Sequence, residues 1–388
     1  MQRAGFAIGS AIVASIACGE ATKRAPDPPA PPLSIWDSAD GECERPGFYI
    51  GADITSVQAA EARGVTYSDG ETRDILVLLR DHGFNYIRLR TFVDPRAEGG
   101  YDRQQGFGDL EHTIAFGQRI KAAGMGFLLD FHYSDTWADP GKQCIPASWR
   151  GMSLDQLVGA VQDYTRDAIT QLVAAGARPD MVQLGNEITP GMLINDCGDR
   201  GQALDVSPVN GSIENWDSLG ALLRAASGAV RSVDPRIKLM LHLDRGGDKP
   251  TDPPGLALQL STDFINNAQA QGVDFDVFGE SCYQSFQGDP ESADNTVRGW
   301  ADTFGELALR FPDLRWVAAE YGPLQRELND VLFELPGERG VGSFAWEPIR
   351  EGFWNTGHAL FSSQGDPRLA GPDLALYDTM KADYASRL

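Results

Sequence analysis

The chain has 388 residues, 42% of them hydrophobic and 23% charged, with a formal net charge of −22. That balance is globular, and the length exceeds the roughly 250 residues that one α/β barrel takes. The acidic residues are scattered and no Lys/Arg cluster occurs, which excludes a nucleic-acid partner and favours a neutral substrate over a polyanion.

The first 18 residues read as a signal peptide. Arg3 gives a positive start, and residues 4–17 are apolar but too short to span a bilayer, so no transmembrane span is expected. Ser15-Ile16-Ala17-Cys18 looks like a bacterial lipoprotein cleavage box, with Ser15 where Leu or Val is usual. Cys18 would then carry a lipid anchor; the alternative is cleavage nearby and free secretion. Residues 19–46 form a linker and lead-in containing Pro26, Pro28, Pro29, Pro31 and Pro32, semi-rigid and with little to bury. The catalytic domain is expected to fill residues 47–388 and to act as a monomer.

From residue 48 onward, apolar strand-like runs alternate with helix-like segments. Strands are predicted at 48–53, 84–90, 126–132, 181–184, 237–243, 275–281, 314–320 and 341–346. Helices are predicted at 75–81, 110–123, 154–175, 216–233, 256–271, 296–310, 327–335 and 372–388, with a long polar loop after the fourth strand. Glycines just past several helices, in Asp81-His82-Gly83 and Ala123-Gly124, read as helix stops. Eight β/α repeats with buried strands point to a single (β/α)8 TIM barrel; a doubly wound sheet is the structural alternative.

After Cys18, four cysteines remain: Cys43, Cys144, Cys197 and Cys282. None forms a C-x-x-C pair, so a zinc cage is not expected, and no metal site is predicted. Four cysteines allow three pairings. Cys144 with Cys197 is favoured, because both lie in loops after neighbouring strands, and Cys282 reads as a buried thiol.

A barrel places its active site where the strands end. The residues there are Asp53, Arg88 with Arg90, His132, Glu187, His242 with Asp244, Tyr283, Glu320 and Trp346. Glycoside cleavage needs one carboxyl to protonate the leaving oxygen and another to attack or stabilise the sugar ring. Glu187 closes the fourth strand and Glu320 the seventh, so both can reach across the barrel mouth. Asn186 can hold a sugar 2-hydroxyl. Bland alternatives exist: Trp346 as a core aromatic, and His132 and His242 as satisfied strand-end histidines.

Gly83-x-Asn85-x-x-Arg88, Asn186-Glu187 and Glu320 resemble the retaining barrel glycosidases that carry both glutamates on strands four and seven. More narrowly, several stretches resemble the family 53 glycoside hydrolases, the endo-β-1,4-galactanases. They are Gly51–Val57, Asn85–Arg90 with Val93-Asp94-Pro95, Leu129–Asp135, Trp137–Gln143, Pro179–Ile188, His242-Leu243-Asp244 and Trp346-Glu347-Pro348.

The resemblance implies that Glu187 is the acid/base and Glu320 the nucleophile, with Arg88 keeping Glu320 ionised and Tyr283 bonding to it. It implies that Asp53, His132, Trp137 and Asn186 bind galactose units and that Trp346 underlies the ring at the cleaved bond. Arg88, His242 and Asp244 are added as substrate-binding candidates, and no cofactor is expected. The chain departs from the family at Ser281–Gly288, which lacks the usual aromatic run, at Glu280, which replaces an apolar residue, and at Glu320–Pro323, which lacks a Trp.

Overall fold

The computed structural model describes residues 47–198, 201–349, 359–362 and 365–387. The signal-peptide and linker readings, with Cys18 and Cys43, lie outside these residues. Eight strands form the centre: β1 (Tyr49–Asp53), β2 (Tyr86–Thr91), β3 (Gly126–Phe131), β4 (Met181–Leu184), β5 (Lys238–Leu243), β6 (Val277–Cys282), β7 (Arg315–Tyr321) and β8 (Gly340–Trp346). Each pairs in parallel with its neighbours, and β8 returns to β1 with Trp346 opposite Asp53, so the barrel closes. The fold is the expected (β/α)8 barrel.

Around it lie α1 (Ile75–Asp81), α2 (Leu110–Ala122), α3 (Leu154–Ala174), α4 (Trp216–Val233), α5 (Leu256–Ala270), α6 (Ala293–Arg310), α7 (Gln325–Phe333) and α8 (Leu374–Arg387). Polar side chains fix several starts by accepting orphan backbone N–H groups: Asp74, Asp109, Ser153 and Ser292. Ser292 explains why α6 starts earlier than predicted. Each helix lays one apolar stripe on the barrel, as α3 does with Leu157, Val161, Ile169 and Leu172.

Side chains alternate in and out along a strand, and the interior is layered accordingly. The lower interior is apolar: Tyr86, Leu128, Met181, Met240, Val277, Val317, Ala319, Val341 and Phe344 pack together. Two residues further along the same strands, the inward positions turn polar, at Arg88, Asp130, Gln183 and His242.

The alternation breaks once where it matters. Against β7, Glu280 pairs with Ala318 but Ser281 pairs with Glu320, so strand seven carries one extra residue. Such a bulge re-aims a side chain, here Glu320.

The long polar loop after β4 contains two short antiparallel ribbons. Gly191–Met192 pairs with Gly211–Ser212, and Asn195–Cys197 pairs with Ala203–Val206. Neither showed a periodic signal, because two to four residues are too few for one. The disulfide Cys144–Cys197, with Cα atoms 5.6 Å apart, ties this loop to the one after β3. Cys282 is a buried free thiol, as expected.

Candidate active site

At the C-terminal mouth of the barrel, Arg88 on β2 is the centre of the polar layer. It is fully buried, and all five of its N–H groups are engaged. Nε donates to Gln183 Oε1 at 3.1 Å. One terminal nitrogen donates to Asp53 (2.7 Å) and Glu320 (2.9 Å), the other to Asp130 (2.8 Å) and Asn186 (2.7 Å). One guanidinium therefore links β1, β3, β4 and β7. A second arginine, Arg90, pairs with Glu347, lies 3.5 Å from Asp53, and stacks 4.3 Å from the Trp137 ring centre.

Glu320 is 6% exposed. Beyond Arg88, it accepts the Tyr283 hydroxyl at 3.0 Å. Glu187 is half-buried at the end of β4, with a φ of 45°. That left-handed backbone is costly for a side chain with a Cβ, and such outliers concentrate at working sites. Gln143 holds the turn by donating to the carbonyls of Asn186 (2.9 Å) and Glu187 (3.4 Å).

Burial, then the Glu320 and Asp244 charges, push the Glu187 carboxyl well above its usual range. Burial pushes Glu320 up as well, with Arg88 the largest force opposing it. Arg88 was expected to lower Glu320 outright. It does not, because burial outweighs its pull, and the neighbouring Asp53 and Asp130 charges add to the rise. The asymmetry still holds: Glu320 faces a cation and a phenol donor, while Glu187 faces other acids. Of the pair, Glu187 keeps its proton as Glu320 loses one.

The structure brings the predicted residues together, but not all of them reach the cleft. Asp53, Arg88 and His242 are 0% exposed, so a sugar in the cleft does not touch them. Asp53 is occupied by Arg88, Arg90 and Thr55.

His132 and His242 are both buried among polar neighbours. The Nδ1 of His132 accepts from the Ala138 N–H at 2.9 Å, and its Nε2 lies 3.1 Å from Asp130. Burial lowers the pKa of both rings, well below the usual range for His242.

Asp244 is enclosed by Lys249 (2.8 Å) and the Thr189 hydroxyl (2.5 Å). These residues are engaged with protein neighbours that hold the layer together. Arg88 has no donor left, and Asp53 and Asp244 accept from neighbours.

The predicted residues with the most exposed surface are Glu187, Trp137 and Trp346, with smaller exposure at Tyr283, Glu320 and Asn186. Asn186 accepts from Arg88 and donates one amide hydrogen to the Ala138 carbonyl at 2.9 Å, which leaves the other for a hydroxyl. The Trp137 and Trp346 rings are half-buried, 6.2 Å apart and tilted by 60°, forming an aromatic wall.

Sequence reasoning missed Asp130, Gln183, Ser281 and Glu347 as members of this layer. The first three had a readable signal, a polar residue at an inward position of an otherwise apolar strand. Among the described residues, no cluster of three or more His, Cys, Asp or Glu side chains could hold a metal ion.

A closed parallel barrel with two opposed acids, an aromatic wall and a buried arginine beneath them is the build of a barrel glycoside hydrolase. The model of glycosyl hydrolase family 53 matches residues 49–309. The chain belongs to that family.

An arabinogalactan endo-β-1,4-galactanase of Thermothelomyces thermophilus is 31% identical over 325 residues, covering 77% of this chain and 89% of that one. The GH53 catalytic domain of Ignisphaera aggregans superposes with a TM-score of 0.71 at 28% identity, covering 86% of this chain and 96% of the other. A structure of two fungal β-1,4-galactanases gives 0.68 at 28% identity, covering 85% and 99%.

Proposed function

We propose that this chain is an endo-acting, retaining hydrolase of β-1,4-galactan, the neutral galactan side chains of plant pectin. Family membership and galactanase relatives at about 30% identity support the substrate. The observation that carries the mechanism is the unequal setting of the two acids: Arg88 and Tyr283 on Glu320, Glu280's neighbour Ser281 and a second carboxylate near Glu187.

Glu320 attacks the anomeric carbon while Glu187 protonates the departing glycosidic oxygen. Glu187 then takes a proton from water, which displaces Glu320 and releases a product of unchanged β-configuration. Asn186 holds the 2-hydroxyl, and Trp346 and Trp137 carry the sugar face. His132, His242, Asp53 and Asp244 serve by holding these groups.

The purified chain is expected to release short galacto-oligosaccharides from β-1,4-galactan. Glu320→Gln should lower the rate on the order of 10⁴-fold or more with the fold intact. NMR of the first-formed product should show the β-anomer; an α-product would remove Glu320 as nucleophile. A second reading, action on another neutral β-glycan, is favoured by the strand-six loop Ser281–Gly288, where the aromatic run is missing. Activity on mannan or xylan without activity on galactan would select it.

The first 18 residues support export, and Cys18 a lipid anchor with residues 19–46 as its tether. A lipid-sized mass increment on membrane-fraction protein, absent in Cys18→Ala, tests the anchor; protein found only in the medium would select free secretion.

A further inference from the structure

Ser281 lies fully buried on β6, between His242 and the proposed proton donor. Its Oγ is 2.6 Å from Glu187 Oε1 and 3.0 Å from His242 Nε2. The pairing shift against β7 sets it level with Glu320, at the height of the reacting groups.

The direction of each hydrogen bond follows from its neighbours. Gln183 Oε1 accepts from Arg88, so its Nε2 is the atom facing His242 Nδ1, at 3.0 Å. The backbone N–H of Glu187 also points at Nδ1, at 3.4 Å. Gln183 Nε2 shares its two hydrogens among Nδ1, the Asn186 oxygen and the Gly185 carbonyl at 3.1 Å, so the Glu187 N–H, which has no other role here, fixes Nδ1 as an acceptor. The Asn186 oxygen, 3.1 Å from Nδ1, already accepts from Arg88 and Gln183. The ring proton therefore sits on Nε2 and goes to Ser281. A serine has one hydrogen, and with its His242 side receiving, that hydrogen goes to Glu187 Oε1.

We infer that Ser281 is a positioning residue for the acid/base, holding Glu187 Oε1 as an acceptor so that the transferable proton resides on Oε2. The inference rests on the proposed role of Glu187. In the first step the Oε2 proton passes to the glycosidic oxygen. The C1–O bond breaks with its electron pair going to that oxygen, and Glu320 bonds to C1. The Ser281 contact is unchanged throughout and supports the carboxylate that results. It also opposes the rise that burial and the neighbouring acids impose on Glu187.

The test uses the purified chain with galactan and with an aryl β-galactobioside whose nitrophenolate leaves without a proton. Ser281→Ala should cut kcat/KM on galactan by at least about tenfold and on the aryl substrate far less. The alkaline limb of kcat/KM should move up by roughly one pH unit, because the carboxylate has lost a donor. Ser281→Thr should restore the limb.

Equal losses on both substrates with an unmoved limb would reduce Ser281 to a packing role and overturn the inference. Should Ser281→Ala not fold, ¹⁵N NMR of the wild-type ring decides: an unprotonated His242 Nδ1 supports the inference, and a protonated Nδ1 overturns it. Wild-type protein inactive on both substrates would sink the functional reading alone, while the tautomer still tests the hydrogen-bond chain.

Discussion

The lower and upper halves of the barrel interior are built by the same strands with the same alternation, yet they do opposite things. Below, Leu128, Met181, Met240 and Val277 meet as an apolar plug. Two residues higher, Asp130, Gln183, His242 and Gly279 take their places, and Arg88 sits where Tyr86 sat. Folding free energy is gathered in the lower layer, by removing apolar surface from water. The upper layer contains buried charges whose desolvation is costly, and it is held by the ion pairs and hydrogen bonds that converge on Arg88. Height along one strand thus separates the part that stabilises from the part that reacts.

Arg88→Met should break this division most severely. It leaves Asp53, Asp130 and Glu320 buried without their shared cation. The expected cost is about 3–5 kcal/mol of stability together with a roughly 10³-fold loss of kcat/KM. Urea unfolding and reducing-end assays below the transition would measure the two separately. Near-wild-type stability would mean that water enters the layer and that its pairing matters less than the geometry indicates.

Leu128→Ala, one layer lower on β3, should show the converse. Its side chain is fully buried, and the expected loss is about 2–5 kcal/mol. The kcat/KM of the folded fraction should stay within about twofold, since no polar contact of the site is removed. A large loss of activity in the folded protein would show that the plug sets the heights of Asp130 and His132 above it.

The same contrast explains what was legible beforehand. The eight strands announced themselves because each is an apolar run of four to seven residues, and the barrel followed from their count. Glu187 and Glu320 were readable because each ends such a run. The positions of Asp53, Arg88 and His242 beneath the cleft were not, because strand periodicity tells which face a residue lies on and not whether a partner above it shuts out solvent. The bulge at Ala319 and Glu320 was equally hidden. It exists only as a mismatch between two strands, β6 and β7. The ribbons after β4 arise from backbone pairing across a loop, which leaves no pattern in side-chain polarity.

Outside both layers, the disulfide Cys144–Cys197 should act on stability alone. It closes a sequence separation of 53 residues between the loops after β3 and β4. Replacing both cysteines by serine should cost about 2–4 kcal/mol, chiefly by freeing the unfolded chain. Thermal unfolding with and without reductant would measure it. Activity below the transition should hold, and its loss would place this loop among the walls of the cleft.

Per pH unit, the smallest effect expected comes from Glu280, a carboxyl outside the barrel interior and next to Ser281. It accepts from the Ser261 hydroxyl at 2.6 Å and the Arg245 N–H at 2.8 Å, and burial pushes its pKa up to about 8. The folded chain keeps this proton to about pH 8, while the unfolded chain releases it near pH 4.5, the ordinary value. Between those limits the unfolded state binds fewer protons, so stability falls as pH rises. Below the window nothing is lost, and above it the loss is complete. One group can tilt the curve by at most about 1.4 kcal/mol per pH unit. Glu280→Gln keeps the acceptor for Arg245 and removes the titration. Urea midpoints at pH 5 and pH 8 should therefore draw together in the variant. An unaltered difference between them would assign the slope to Glu187 and Glu320, returning the pH sensitivity of the fold to the upper layer of the barrel.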